Sequence, residues 1–262
     1  MALFQTEALV LGAVDFSEST QIARFVSPDR GKFSAMARGV KRIRSSLGPR
    51  LEAFSRVEVR VYAKEGAALG TLSAIDPIDE YAYLRADLER HALAATVLES
   101  IERGAAEGKP ALELYRAATA YLGALGRAAD AESLSAHTLL RLLCLLGFAP
   151  DLRPPRAESL SSRPEARLFF RPEEGRLSFA APAEPRTPFM RLDAPLVEFL
   201  RRSMALRLEE FEINGAAPAL RRPALDFLLR LLAYYLESEL RSARFLRKMI
   251  WSAPAAFPIP AG

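Results

Sequence analysis

Short runs rich in hydrophobic and β-favouring residues occupy the first 80 positions, and in the clearest of them hydrophobic residues recur at every second position, which is the spacing of a strand that buries one face. The cleanest alternation places Val57, Val59 and Val61 on one face and puts charged residues between them. Comparable runs predict five strands, over residues 6–14, 21–27, 32–40, 51–62 and 69–75. Because no helical segment separates these strands, they indicate a small antiparallel barrel, whose closure leaves no exposed sheet edge.

The apolar spacing changes at Asp76-Pro77 from two residues to three or four, which is typical of α-helices. The pattern predicts three helices before residue 149 and two more near the C-terminus, each of the last two opened by a proline. The predicted ranges are 84–101, 111–125, 133–146, 195–204 and 223–248. An N-terminal barrel followed by helices makes the fold class α+β, with a barrel and an all-α body.

A proline-rich stretch interrupts the helices between residues 149 and 188, and its eight prolines exclude a continuous helix. Apolar residues within it predict a β-hairpin over 166–179, with the turn at Glu174-Gly175. The predicted order is a barrel, a helical domain, this insertion, helices that complete the helical domain, and an extended tail. These parts occupy residues 1–80, 81–148, 149–188, 189–252 and 253–262.

Positive charge is concentrated in one segment of the chain. Residues 30–50 contain seven basic and no acidic residues, whereas the whole chain carries a net charge of only +4. Such a single-sign field beside predicted strands is typical of nucleic-acid binders, and the OB-fold is the commonest five-stranded barrel of that kind. The alternative is a solvated basic face, although solubility alone does not require so strong a field.

Alternation in the third strand directs Phe33, Ala35 and Ala37 inward, so the basic side chains project outward there and from the connection that follows. Such cations bind the phosphates of a nucleic acid whatever its base sequence is. The predicted contacts are Lys32, Arg38, Lys41, Arg42, Arg44 and Arg50, with Arg24 and Arg56 extending the groove. Phe16, in the loop after the first strand, is a candidate platform for base stacking and equally a candidate cap on the barrel end.

The sequence carries little that could support catalysis or metal binding. His91 and His137 lie far apart in helical patterns, and the single cysteine, Cys144, lies in an apolar helical run without a neighbouring base. One Cys and two His cannot form a tetrahedral zinc site, and no glycine-rich phosphate loop is present. We therefore predict no enzymatic activity, no cofactor and no catalytic or metal-binding residue.

Neither a signal peptide nor a membrane-spanning segment is predicted. The N-terminus lacks a basic region followed by an apolar core, and no window approaches the roughly 18 apolar residues of a membrane helix. A single cysteine excludes an intrachain disulfide framework, which suits a reducing compartment. The expected location is the cytoplasm, without a membrane partner.

Several segments, in the same order, make the chain resemble the bacterial recombination mediator family RecO. They are EALVL at 7–11, GKFSAMARGV at 31–40, LGPRLEAF at 47–54, LRADL at 84–88, LLCLLGFAPDL at 142–152, and YYLE with LRSARFL in 234–246. The segments cover nearly the whole chain. The ordered set is fairly specific.

The resemblance implies an N-terminal OB-fold, a helical body, and an insertion that in many members binds zinc through four cysteines. It implies binding of single- and double-stranded DNA, annealing of complementary strands, and action with RecR to help RecA replace single-strand-binding protein, at the nucleoid. The residues that match the family's basic DNA-binding strand and connection are Lys32, Arg38, Lys41, Arg42 and Arg44.

The chain departs from the family pattern in the insertion, where all four cysteines are absent. After residue 152 it reads RPPRAES, and near the second expected pair it reads FAAPAE. We predict a degenerate zinc module that binds no zinc, with a hairpin held by apolar side chains instead of a metal. Those side chains are Leu168, Phe169, Phe170, Leu177 and Phe179.

The C-terminal tail of single-strand-binding protein is a further implied partner. An acidic tail with an apolar end requires an apolar pocket rimmed by basic residues. The helical part offers four arginines beside many leucines, and the sequence leaves open which of them converge. They are Arg127, Arg141, Arg222 and Arg230.

Three functions compete at this point. The first is a DNA-binding and strand-annealing repair mediator without catalysis, which the resemblance favours. The second is an RNA-binding or transcription regulator on the same barrel without annealing activity, which would differ in its preference for the 2′-hydroxyl group. The third is an enzyme with an unrecognised site, which the scarcity of His and Cys disfavours. Annealing of complementary DNA strands discriminates among them.

Overall fold

The structure is a computed structural model that describes residues 2–42, 47, 51–63, 69–153, 168–179, 188–206 and 218–251. Two of the predicted phosphate contacts, Arg44 and Arg50, lie outside the described residues. The first two residues of the predicted hairpin and the predicted tail at 253–262 lie outside them as well.

Five strands form a closed N-terminal barrel, as the alternation predicts. They are β1 (Ala2–Asp15), β2 (Gln21–Ser27), β3 (Gly31–Ala37), β4 (Arg56–Ala63) and β5 (Gly70–Asp79). The order around the barrel is β1-β2-β3-β5-β4, and β4 closes on β1. Within the described strands, β3 and β5 pair in parallel, which departs from the predicted antiparallel pairing, and the other pairs are antiparallel. This topology is that of an OB-fold.

The barrel interior is filled by the alternate apolar residues of each strand. Val57, Val59 and Val61 all point inward and are at most 1% exposed. Ala35 and Ala37 of β3 are fully buried with them. Since side chains alternate along a strand, the intervening residues of β3 and β4 form the outer surface of the barrel, as predicted.

β3 ends earlier than the sequence predicts, and β5 ends later. β3 ends at Ala37, so Arg38 begins a turn instead of lying in the strand. β5 continues through Pro77 to its last residue, because this stretch pairs with β4 alone while β3 pairs with Gly70 and Thr71. A proline on the unpaired side of a strand breaks no ladder hydrogen bond.

Two helices pack against the barrel. They are α1 (Leu88–Gly104), capped by the side chain of Asp87, and α2 (Leu112–Leu125), and both contact β1 and β2. A 3₁₀ turn at Ala82–Arg85 precedes α1, so the α-helix starts later than predicted. The barrel and these two helices form one compact unit, Met1–Gly126.

The second compact unit, Arg127–Gly262, is mainly helical in its described part. Its helices are α3 (Ala131–Leu145), α4 (Ala194–Ala205), α5 (Pro218–Tyr235) and α6 (Arg241–Phe245). The first of these packs on both α4 and α5. Both α3 and α5 bury several leucines.

The predicted hairpin is confirmed and gains a third strand. β6 (Leu168–Arg171) and β7 (Arg176–Ser178) pair around a turn in which Gly175 has a φ of 65°. β8 (Met190–Leu192) pairs with the other edge of β6. Of the side chains predicted to hold the hairpin, Phe179 is half-buried and the other four are buried. Apolar burial therefore stabilises the described part of this insertion.

The prediction of a single helix over residues 223–248 is wrong. α5 carries Pro223 in its interior and ends at Tyr235, and Glu237 then adopts a left-handed φ of 55°. The chain resumes as α6, followed by a π-helical turn at Leu246–Ile250. Helical apolar spacing persists through the break and no Gly or Pro marks it, so the sequence carries no stop signal there.

Candidate nucleic-acid interface

A tight turn follows β3 and presents the basic residues of the connection. Gly39 has a left-handed φ of 68°, and its carbonyl accepts a 3.1 Å hydrogen bond from the amide of Arg42. Val40, which lies between them, is buried in the barrel core at 4% exposure. Because this valine anchors the turn, Arg38, Lys41 and Arg42 are held on the exposed surface around it. We call these three residues the basic turn.

The loop between β1 and β2 lies beside the basic turn. The Lys41 amide donates a 3.4 Å hydrogen bond to the carbonyl of Ser19, and the Phe16 amide donates a 3.0 Å bond to the carbonyl of Thr20. The side chain of Phe16 is 61% exposed, so it does not cap the barrel. Its loop is hydrogen-bonded to Lys41 of the basic turn, which suits a base-stacking platform, and that role stays a prediction.

Lys41 forms an ion pair with the last residue of β1. Its Nζ lies 2.6 Å from Oδ2 of Asp15. Hydrogen bonds from Lys41 and from the Gln21 amide group hold the pKa of Asp15 below its ordinary value. The carboxylate is therefore charged at neutral pH, and a phosphate that binds Lys41 has to compete with it.

Two of the predicted phosphate contacts point to helix α1 instead of to solvent. Arg24 forms an ion pair with the carboxylate of Glu102, and Nζ of Lys32 donates a 2.8 Å hydrogen bond to the Glu102 backbone carbonyl. Glu102 lies in the last turn of α1, where carbonyls lack intrahelical partners and attract cations. Both cations therefore stabilise the packing of α1 on the barrel.

Arg56 is engaged in a similar way on the other helix. One of its terminal nitrogens lies 2.7 Å from Oε2 of Glu7, and its Nε donates a 3.1 Å hydrogen bond to the hydroxyl oxygen of Tyr115 in α2. The Tyr115 hydroxyl donates in turn to the same carboxylate at 3.0 Å. The hydrogen bond from Arg56 holds the pKa of Glu7 below its ordinary value, and burial raises the pKa of Tyr115. The three residues link β1, β4 and α2.

The structure thus separates the described cations into two groups. The cations that lie together on the exposed surface are the three residues of the basic turn. Arg24, Lys32 and Arg56 are half-buried and contact helix α1 or α2, whereas Lys41 of the basic turn is paired with Asp15 of β1. Sequence reasoning missed the internal partners, Glu7, Glu102 and Tyr115, because their contacts span up to 108 positions and no local pattern signals them.

Within the described ranges, no three His, Cys, Asp or Glu side chains form a group that could hold a metal ion. Cys144, in the last turn of α3, is half-buried, and its burial raises the pKa of its thiol. None of the helices in the described ranges combines the length and apolar character needed to cross a membrane.

A closed five-stranded barrel in this strand order is the architecture of OB-fold proteins. The family models for "Recombination protein O N terminal" and "Recombination protein O C terminal" match residues 1–81 and 85–244. The chain belongs to the RecO family of DNA repair proteins, as its ordered segments predict.

Individual relatives align along almost their entire length. The DNA repair protein RecO of Bifidobacterium adolescentis is 30% identical over 94% of this chain and 100% of its own. That of an Anaeromyxobacter species is 30% identical over 91% of this chain and 93% of its own. The Desulforudis audaxviator protein is 29% identical over 95% and 98%. The similarity therefore extends over both compact units.

Proposed function

We propose that this chain is a recombination mediator that binds single- and double-stranded DNA and anneals complementary strands. Together with RecR, it helps RecA to replace single-strand-binding protein on gapped DNA. The observation that carries the proposal is family membership, because both family models match and the three relatives described above align over more than 90% of both chains. The proposal includes no catalytic step, no cofactor and no metal. It places the protein in the cytoplasm, at the nucleoid.

The basic turn supports contact with DNA phosphates. Its three cations are exposed on either side of one buried valine, which anchors the turn that carries them. Cations arranged in this way neutralise neighbouring phosphates and release counterions, which drives binding to any sequence. Neutralisation also lowers the repulsion between two DNA strands, and that favours annealing.

The protein partners bind elsewhere in this proposal. RecR and the acidic tail of single-strand-binding protein contact the chain directly, and RecA benefits indirectly. Of the arginines predicted to rim the tail pocket, Arg222 pairs with Glu132 and Arg230 pairs with Asp226. The stronger candidates are therefore the two other exposed ones, Arg127 and Arg141.

Annealing of complementary oligonucleotides coated with single-strand-binding protein tests the proposed function. We expect wild-type protein to accelerate annealing, and a Lys41→Ala/Arg42→Ala variant to be at least several-fold slower, because its charge against the phosphates is reduced. An Arg201→Ala/Arg202→Ala variant removes two exposed cations from α4 and should anneal like wild type.

Each alternative outcome has a distinct meaning. A wild-type protein that does not accelerate annealing contradicts the mediator function, and a preference for RNA would then favour an RNA-binding regulator. If the Lys41→Ala/Arg42→Ala variant anneals at the wild-type rate, the mediator function is supported and the DNA site lies outside the basic turn.

Asp15→Asn is expected to strengthen DNA binding roughly two- to fivefold at pH 7. The change frees Lys41 from its exposed ion pair and removes a negative charge from the surface that phosphates approach. Fluorescence anisotropy with a labelled oligonucleotide at fixed salt measures the difference. Glu113→Gln removes a similarly exposed carboxylate, paired with Arg116 on α2, and should leave affinity unchanged. Unaltered affinity of Asp15→Asn would place Lys41 outside the interface.

A further inference from the structure

The insertion occupies the place where the family resemblance implies a zinc module, and its described residues do not fit that ion. Structural zinc sites take thiolate, imidazole or carboxylate ligands. Arg153 begins the stretch that stands where the first cysteine pair is expected, and its guanidinium repels a cation. The carboxylate of Asp151 lies 2.6 Å from the same arginine. Glu174, in the turn of the hairpin, lies 2.8 Å from Arg171 and 2.7 Å from Arg176.

These arginines hold both carboxylates in their charged form. Hydrogen bonds from Arg153 lower the pKa of Asp151 to about 2. Hydrogen bonds from Arg171 and Arg176 hold the pKa of Glu174 below its ordinary value. A metal ion would have to displace guanidinium groups that are already bound, so the donors described in the insertion suit ion pairs with arginine and not a metal.

Two hydrogen bonds from distant segments hold the turn between β6 and β7. The hydroxyl of Tyr235, the last residue of α5, donates a 3.0 Å bond to the carbonyl of Pro172, 63 positions away. The Asp151 amide donates a 2.7 Å bond to the carbonyl of Gly175. The Gly175 amide closes the turn with a 3.2 Å bond to the same Pro172 carbonyl. The turn is therefore bound to other segments at both of its ends.

The ring of Tyr235 is also held in place. It stacks on the ring of Phe148, with centroids 4.6 Å apart and planes inclined by 8°. The cap of α3 positions Phe148, because Gly147 adopts a left-handed φ of 88° and the Phe148 amide donates a 2.8 Å bond to the carbonyl of Leu143. Tyr235 thus connects the ends of α3 and α5 to the insertion.

We propose that Tyr235, Phe148 and the backbone amide of Asp151 form a clamp that takes the structural role of a metal in this insertion. A structural metal stabilises a small module because it joins segments that are distant in sequence. The clamp joins such segments too, and the buried ring of Phe170 in β6 contacts Phe227 of α5 edge-on at 5.4 Å. The order of the insertion therefore depends on Tyr235 and is independent of metal. The inference concerns the second compact unit and does not depend on the proposed DNA site.

Hydrogen exchange of the full chain, followed by mass spectrometry, tests the clamp at the amides of β6 and β7. Tyr235→Phe keeps the ring and removes the hydroxyl, and we expect it to speed their exchange about three- to tenfold. Tyr235→Ala also removes the stacked ring, so exchange should be about ten- to a hundredfold faster than in wild type. Tyr234→Phe removes a hydroxyl from the neighbouring residue and should exchange like wild type.

A double-mutant cycle shows whether Phe148 acts through Tyr235. Phe148→Ala should speed exchange at least about twofold less in the Tyr235→Ala background than in wild type, because the stacked pair is already lost there. Equal effects in the two backgrounds would overturn the clamp, as would wild-type exchange rates in both Tyr235→Phe and Tyr235→Ala. Far-UV circular dichroism establishes that each variant is folded.

Chelation distinguishes the clamp from a metal. Wild-type protein dialysed against EDTA should keep its exchange rates in β6 and β7, and elemental analysis of the purified protein should find no stoichiometric zinc. Faster exchange after EDTA, or one zinc ion per chain, would overturn the proposal. The proposed function would survive either result, because it rests on family membership and is tested by annealing.

Discussion

An Arg38→Ala/Lys41→Ala/Arg42→Ala variant is expected to bind both forms of DNA at least roughly tenfold more weakly than wild type near physiological salt. If all three cations contact phosphates, the slope of log affinity against log salt should become shallower by about 3 for duplex and about 2 for single strands. Sequence preference should not change, because phosphate contacts carry no base information. Anisotropy titrations over a series of salt concentrations measure both quantities.

Loss of net charge alone would also weaken binding, so the control has to remove the same number of charges elsewhere. Arg116→Ala/Arg201→Ala/Arg202→Ala does this with three exposed arginines that pair with glutamates on their own helices. We expect this control to retain the wild-type salt slope. An unchanged slope in the variant of the basic turn would show that the DNA site lies on another surface.

Gly31→Ala is expected to destabilise the barrel unit by about 3 kcal/mol or more. Gly31 has a left-handed φ of 62°, and a Cβ there would overlap the backbone carbonyl oxygen of Lys109, in the segment between α1 and α2. That segment is bound to the barrel by hydrogen bonds from the Gly108 amide to Lys32 and from the Ala111 amide to Pro28, at 2.9 and 3.1 Å. Backbone cannot move aside without losing them. Urea unfolding measures the loss.

Gly108→Ala separates the conformational penalty of a positive φ from the steric overlap with the Lys109 carbonyl oxygen. Gly108 has a similar φ of 68°, but a Cβ there would meet no atom within 4 Å. It should therefore cost only the conformational penalty, about 1–2 kcal/mol. If Gly31→Ala cost no more than Gly108→Ala, the contact between the barrel and the α1–α2 segment would be loose, and it would not be what fixes the barrel against the helices.

The barrel and the basic segment could be predicted because both depend on local sequence. Period-two alternation in Val57, Val59 and Val61 is sufficient to identify a half-buried strand, since side chains alternate faces whatever the neighbouring strands are. The run of seven basic residues is visible in composition alone. The hairpin of the insertion was predictable for the same reason, because Gly175 and the flanking apolar residues are adjacent in the chain.

The break between α5 and α6 and the passage of β5 through Pro77 could not be predicted. Glu237 takes a positive φ within a stretch that has no helix breaker, so its conformation depends on how the flanking helices pack. Pro77 is tolerated because the adjacent edge of the sheet is unpaired at that point, which depends on where β3 ends.

The sequence by itself determined the class of fold, the location of positive charge and the family, because alternation, composition and ordered segments are properties of neighbouring residues. Tertiary structure alone decided what each cation contacts. Folding places carboxylates, a carbonyl and a hydroxyl from distant segments beside Arg24, Lys32 and Arg56, and it places the Asp15 carboxylate beside Lys41 of the basic turn. A charge attracts whatever opposite charge lies within a few ångströms, and only the folded chain sets those distances.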